Sequence, residues 1–284
     1  MKEYPSITII GAGVMGEAIL AGILRNKLTK PQDISVADAI PERCNELQEK
    51  YGVNVFIENL KAVEKKPDLV ILSVKPQQLD DVYKDLNGKI PADGLVLSIV
   101  AGAAVDLISK GLGHPSIVRA MPNTPAQIGE GITVWFPNKP VKPDQMELAR
   151  KVLEALGQEV QVKEEIYLDM ATAISGTGPA YAFMFMEAMI DAGVHLGFSR
   201  KISEQLVLQT LRGSVDYYRV KKVHPAQLRN EVTSPGGTTA AALYHLEKMG
   251  FRTAISRAIW AAYERSQELG RGKKVKDPEK NNND

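Results

Sequence analysis

The sequence predicts an α/β half built on a mostly parallel sheet, followed by an all-helical half. Three observations lead there. Short β-branched runs alternate with helical patterns over residues 1–163, several of those runs are apolar at every position, and from Glu164 to about Leu269 no strand-like run remains. A strand covered on both faces keeps no polar side. Leu69-Val70-Ile71-Leu72 and Leu95-Val96-Leu97 therefore read as interior strands with helices above and below.

Taken in order, strands are expected at 6–10, 33–37, 52–56, 68–73, 94–100, 116–121, 131–136 and 158–162. Helices are expected between them at 17–25, 41–50, 77–86 and 143–156, two of which open at proline, a residue suited to a first helical position. The second half reads as helices at 164–174, 179–196, 199–222, 225–232, 238–248 and 251–270, punctuated by glycine and proline. The division follows as 1–163, 164–270 and a charged, Asn-rich tail, 271–284, with no apolar periodicity and an expectation of disorder. The stretch 181–194 is apolar nearly all round and carries Met184, Met186 and Met189. Such a helix must be buried on more than one side, and so small a half has little interior for it. A second copy of the chain is the expected cover, with a central helix inside one small bundle as the alternative.

Composition bounds the function. At roughly 150 residues per domain, 284 residues make about two domains. With 44% hydrophobic and 24% charged residues, collagen-like, low-complexity and wholly disordered chains are excluded. Lys plus Arg number 35 against 34 Asp plus Glu, so no long-range field exists to hold a polyanion, and nucleic acid is not an expected partner. The single cysteine, Cys44, can form neither an internal disulfide nor a thiolate cage, which suits a reducing compartment. No apolar run approaches the ~20 residues of a membrane span, and the N-terminus does not resemble a cleavable signal, so a cytoplasmic protein without a membrane partner is expected. His114, His195, His224 and His245 show no ligand spacing, and no metal site is expected.

Gly11-Ala12-Gly13-Val14-Met15-Gly16 follows the first strand and opens a helix. Gly11 permits a tight turn, Gly13 lets the backbone approach a pyrophosphate, and Gly16 lets helix and strand pack closely. Unpaired N–H groups at the helix start, among them those of Val14 and Met15, then meet the phosphates. The second strand ends in Asp38, whose carboxylate suits an adenosine ribose or, alternatively, a helix cap before Pro41. Arg43 lies close enough in sequence to meet a 2′-phosphate instead, so NADH and NADPH both stay open. Val74-Lys75-Pro76 and Met121-Pro122-Asn123-Thr124-Pro125 fall at the carboxyl ends of strands, where such sheets bind ligands, which makes Val74, Lys75, Pro76 and Asn123 candidate cofactor contacts.

Val232-Thr233-Ser234-Pro235-Gly236-Gly237-Thr238-Thr239 precedes a helix in the second half. Glycines and hydroxyls at a helix start suit a small carboxylate, or an ordinary cap. This block, with Pro225-Ala226-Gln227-Leu228 before it and Ala242-Leu243 and Leu246-Glu247 after it, resembles the signature of the pyrroline-5-carboxylate reductase family. The glycine loop, Val74-Lys75-Pro76, Met121–125 and Ser175-Gly176-Thr177-Gly178-Pro179-Ala180-Tyr181 resemble that family's blocks in its order, over all but the tail. The resemblance implies reduction of Δ1-pyrroline-5-carboxylate to L-proline by NADPH or NADH, the last step of proline biosynthesis. It implies a Rossmann-type N-terminal domain and an all-α C-terminal domain that dimerises by interleaving helices, with dimers commonly assembling into decamers. Carried over residue by residue, Ser234, Gly237 and Thr238 hold the substrate carboxylate, Thr239 points its hydroxyl at the ring nitrogen, and Asn59 lies near the adenosine. Two departures stand out: Asp38-Ala39-Ile40 replaces the serine or arginine pair frequent after strand two, and Thr233-Ser234 replaces Ser-Ser.

Hydride transfer to a protonated cyclic imine needs no metal or nucleophile. A β-hydroxyacid or 6-phosphogluconate type dehydrogenase would need a catalytic lysine on the long helix, and 176–191 contains none. An imine reductase acting on a related ring and a non-catalytic dinucleotide sensor are the alternatives, though a sensor has no use for a second polar site at the nicotinamide. The proline-forming reading requires that the Thr238-Thr239 helix start face the nicotinamide end of the dinucleotide, within a subunit or across a subunit contact.

Overall fold

The computed structural model describes residues 4–270, so the expectation for the tail lies outside the described residues. The first half runs β1 (Ile7–Ile10), α1 (Val14–Arg25), β2 (Ile34–Ala37), α2 (Pro41–Tyr51), β3 (Asn54–Phe56), α3 (Asn59–Val63), β4 (Leu69–Leu72), α4 (Leu79–Leu86), β5 (Leu95–Ser98), α5 (Val105–Leu112), β6 (Ile117–Met121), β7 (Gly131–Pro137), α6 (Pro143–Glu154), β8 (Gly157–Gln161) and α7 (Tyr167–Ala171). The strands form one eight-stranded sheet in the order β3-β2-β1-β4-β5-β6-β7-β8. Every neighbouring pair is parallel except β6–β7. The order reverses between β1 and β4, and that switch point opens a crevice at the strands' carboxyl ends.

The wholly apolar strands lie where their composition requires. Leu69 and Ile71 pack on one face with Ile19 and Ile23 of α1 and Val152 of α6, while Val70 and Leu72 pack on the other with Val82 of α4 and Ile108 of α5. All four β4 side chains are fully buried, which only helices on both faces can achieve.

All eight expected strands form, with ends within two residues of expectation. Two helices, α3 and α5, form where no helical pattern is expected. The first is a little over one turn, too short to show a period. The second carries Gly111, where a Cβ would stand 2.6 Å from the Tyr83 ring, so packing against α4 fixes a residue that weakens the helical pattern. The helix expected over 77–86 begins instead as a 3₁₀ turn, Pro76–Gln78.

Beyond α7, a π-helical turn, Thr172–Gly176, replaces the end of the helix expected over 164–174. The Thr177 N–H reaches back five residues to the Thr172 carbonyl (2.8 Å), and the Ser175 hydroxyl donates to the Ala171 carbonyl (2.9 Å). Then follow α8 (Gly178–His195), α9 (Arg200–Lys221), α10 (Pro225–Glu231), α11 (Thr238–Lys248) and α12 (Phe251–Gly270).

The compact units do not divide at the change of texture near Glu164. Among the described residues one comprises 4–177 together with 262–270, and the other is Gly178–Ala261. An ion cluster explains the difference. Arg119 on β6 is buried and pairs with Glu165 (2.8 Å) and Asp169 (3.6 Å). Glu165 also accepts the Val105 N–H at the start of α5 (2.9 Å), and Asp169 accepts the Ser266 hydroxyl from α12 (2.9 Å). These bonds bind α7 and the end of α12 to the sheet. In the second unit α8 packs on α9, with Gly193 against Ser203, and Arg200 pairs with Asp191 (2.8 Å).

Arg119→Met removes the shared cation from two carboxylates. It is expected to lower stability by about 3 kcal/mol, read as a reduced urea midpoint with an unchanged slope.

Candidate functional site

The glycine loop is built by contacts too close for side chains. Gly11 has φ +93°, and a Cβ there would lie 2.7 Å from the Ser73 carbonyl oxygen and 2.8 Å from Val74 Cγ1, just past β4. A Cβ on Gly16 would lie 2.2 Å from the Gly11 carbonyl oxygen. Gly13 differs: a Cβ there would meet nothing within 4 Å. Gly11 and Gly16 are therefore glycines for the fold, while Gly13 borders open space at the start of α1.

Gly13 is the N-cap of α1, and no side chain caps the helix. The first-turn N–H groups of Val14, Met15 and Gly16 are left for an anion, assisted by the helix dipole. Beside them the buried Ser73 hydroxyl has no hydrogen-bond partner. An open cradle, uncapped N–H groups and an orphaned hydroxyl at a switch point fit a dinucleotide pyrophosphate.

A cleft of about 470 Å³ continues from Gly11 past the end of β2 and is lined by Asp38, Asn59 and Val74 among others. Asp38 does not cap α2. The N-cap is Ile40, with no side-chain bond. Asp38 Oδ2 accepts the Ala12 N–H (2.7 Å) and Oδ1 the Ile40 N–H (3.0 Å). Asn59 opens α3, and its amide donates to Asp85 (2.9 Å). Arg43 is already engaged: Nε donates to the Ala12 carbonyl (2.8 Å), and its two terminal nitrogens reach Glu17 and Glu46. Lys50 and Arg43 hold the Glu17 carboxyl down at about 2, against an ordinary 4.5. Cys44 donates to the Asp38 and Phe56 carbonyls, and burial raises its thiol pKa, so it is a packing residue and not a nucleophile.

Lys75 and Pro76 are exposed at the 3₁₀ turn after β4 and do not line this cleft. Asn123 serves the backbone: its amide donates to the Ser175 carbonyl (3.1 Å), and its oxygen accepts the Ile132 N–H (3.0 Å). One side chain thus ties the Met121–125 block to the π-helical turn at Ser175-Gly176, a link no sequence spacing displays.

In the second unit the Ser234–Thr239 block is a tight turn between α10 and α11. Gly236 has φ +71°, the Gly237 N–H donates to the Ser234 carbonyl (3.1 Å), and a Cβ on Gly237 would stand 2.4 Å from Ser234 Oγ. Gly237 is the N-cap of α11, which has no side-chain cap, and Thr238 and Thr239 are its first two helical residues. The ordinary-cap reading of these threonines is thereby corrected. The Ser234 hydroxyl lies against Gly237 at this uncapped helix start, and hydroxyls and free N–H groups of this kind suit a carboxylate. Among the described residues no group of three His, Cys, Asp or Glu side chains could hold a metal ion.

Gly13→Ala is expected to leave the melting temperature nearly unchanged and to weaken dinucleotide binding by roughly tenfold or more in a calorimetric titration, because the new methyl occupies the pyrophosphate's approach. For Glu17 the folded-state pKa lies below the ordinary one, so its contribution to stability is complete above about pH 4.5 and is lost as pH falls toward 2. Glu17→Gln should therefore flatten part of the acid limb of a stability–pH curve in that window.

The family model described as pyrroline-5-carboxylate reductase dimerisation matches residues 165–269, and that described as NADP oxidoreductase, coenzyme F420-dependent, matches residues 6–102. A pyrroline-5-carboxylate reductase of Synechocystis is 45% identical over 263 residues, covering 93% of this chain and 97% of its own. One from Pseudomonas aeruginosa is 38% identical over 266 residues, covering 93% and 97%. Among solved structures, the Plasmodium falciparum pyrroline carboxylate reductase with NADP bound matches with a TM-score of 0.86 at 32% identity, covering 94% of this chain and 99% of that one. With relatives this similar over nearly their whole length, the chain belongs to the pyrroline-5-carboxylate reductase family.

Proposed function

We propose that this chain reduces Δ1-pyrroline-5-carboxylate to L-proline with a nicotinamide dinucleotide, the final step of proline biosynthesis, and that Thr239 is its catalytic hydroxyl. The observation that carries the site assignment is the start of α11, where a glycine cap leaves the first turn without a side-chain partner and two threonines open the helix. The Ser234 hydroxyl and the N–H groups around Gly237 and Thr238 hold the substrate carboxylate. The first-turn N–H groups of α1, with Gly11, Gly13 and Gly16 around them, hold the dinucleotide pyrophosphate, and Asp38, Asn59 and Val74 border its adenosine end. Lys75, Pro76 and Asn123 belong to the loops at the nicotinamide end.

When bound, the reduced nicotinamide supplies a hydride to the imine carbon. The chain's task is positional: it must hold the ring at roughly 3–3.5 Å from that donor and orient its nitrogen. As the carbon accepts the hydride, the C=N π electrons become the nitrogen lone pair and the iminium charge is lost. The Thr239 hydroxyl holds the nitrogen through a hydrogen bond in which it can donate or accept. A hydroxyl is too weak an acid to drive the step, so its role is orientation and proton relay.

The second unit gives a physical reason for self-association. No residue of α8 is buried within the single chain, so the alternative of a central helix inside one small bundle does not hold. Phe183 is 62% and Met184 74% exposed on that helix. We propose a homodimer formed through α8 and its neighbours and, on the family resemblance, assembly of dimers into decamers in the cytoplasm. No helix among the described residues is long and apolar enough to cross a membrane.

The test is a purified-protein assay with pyrroline-5-carboxylate and each reduced dinucleotide, following loss of nicotinamide absorbance and formation of proline. Thr239→Ala is expected to slow turnover by roughly 10–1000-fold while dinucleotide affinity stays unchanged. Unaltered turnover removes Thr239 from the mechanism.

A further inference from the structure

The end of the cleft beyond β2 is an acidic surface. Asp38, Glu58, Asp81 and Asp85 all border it, and no lysine or arginine does. Two of these carboxylates have cationic neighbours, Glu58 with Lys61 (2.7 Å) and Asp81 with Lys84 (2.8 Å), and Asp85 takes the Asn59 amide. Asp38 has only backbone donors, the N–H groups of Ala12 and Ile40, and no cation pairs with it among the described residues. Each of its oxygens retains acceptor capacity beside the cleft.

Arg43 is the cation that could offset this, and the fold has taken it. Its three nitrogens bond the Ala12 carbonyl, Glu46 and Glu17, and Glu17 is held in place by Lys50 (2.8 Å) and Tyr51 (2.8 Å). Freeing the guanidinium would break a charged pair and release the glycine loop. An adenosine 2′-hydroxyl offers Asp38 a donor. A 2′-phosphate offers only negative charge, close to a carboxylate without a counter-ion.

We infer that Asp38, together with the capture of Arg43 by Glu17 and Glu46, makes this chain select NADH over NADPH. The inference rests on the reading of the glycine loop as the dinucleotide site and adds to it the identity of the preferred donor.

Calorimetric titration of the full chain with NADH and with NADPH tests it without turnover. NADH is expected to bind roughly tenfold or more tightly, and kcat/KM for the two dinucleotides should differ in the same direction. Asp38→Ser should shift the affinity ratio toward NADPH by about tenfold or more. Asp38→Asn removes the charge while keeping the shape, and should recover NADPH binding in part. Glu17→Gln, which loosens Arg43, should strengthen NADPH binding relative to NADH. Equal or tighter binding of NADPH by the native chain overturns the selectivity and leaves the dinucleotide site standing, as does an unchanged ratio in both Asp38 variants. Failure of both dinucleotides to bind removes the site itself.

Discussion

The molecule depends on one close approach of backbone to backbone. Gly16 sits where any side chain would overlap the Gly11 carbonyl, and Gly11 sits against the chain leaving β4. These two contacts set the distance between α1 and the sheet at the switch point and aim the start of α1 along the crevice. Larger residues would push the helix outward and carry the uncapped N–H groups of its first turn away from the strand ends. The uncapped start of α1 is thus left open by missing side chains, and its electrostatics come from the backbone.

The glycine loop is also clamped. Asp38 takes the Ala12 N–H and Arg43 bonds the Ala12 carbonyl, so both polar groups of one residue are fixed by the segment following β2. A loop rich in glycine has much conformational entropy to lose on binding, and a clamp that orders it beforehand reduces that cost. The same two side chains set the charge beside the cleft, one left without a counter-ion and the other neutralised. Loop order and the charge at this end of the cleft are consequences of a single hydrogen-bond network.

The second unit follows a different logic. Its helices leave Phe183, Met184, Trp260 and Met249 exposed in the single chain, far more apolar surface than an isolated unit should leave in water. Its local chemistry is nonetheless complete. The Ser234–Gly237 turn closes on itself, and α11 begins with unused donors. The exposed apolar surface and the uncapped polar helix start belong to different helices, α8 and α11.

The glycine spacing, the all-apolar strands and the Ser234–Thr239 block were legible in the chain because each reflects a local requirement: a turn, a strand covered on both faces, a helix start rich in glycine and hydroxyls. The π-helical turn and α5 were not, since a widened turn and a helix interrupted by Gly111 lack a clean period. The attachment of α7 and the end of α12 to the sheet could not be read either, because Arg119 joins Glu165 and Asp169 across the sequence and Ser266 returns from the far end. The sequence by itself determined the sheet, most of the helices and the glycine-bearing turns that open α1 and α11. Only the tertiary structure decided what Asp38, Arg43 and Asn123 do, because a polar side chain's role depends on which partner reaches it first, and those partners come from distant elements.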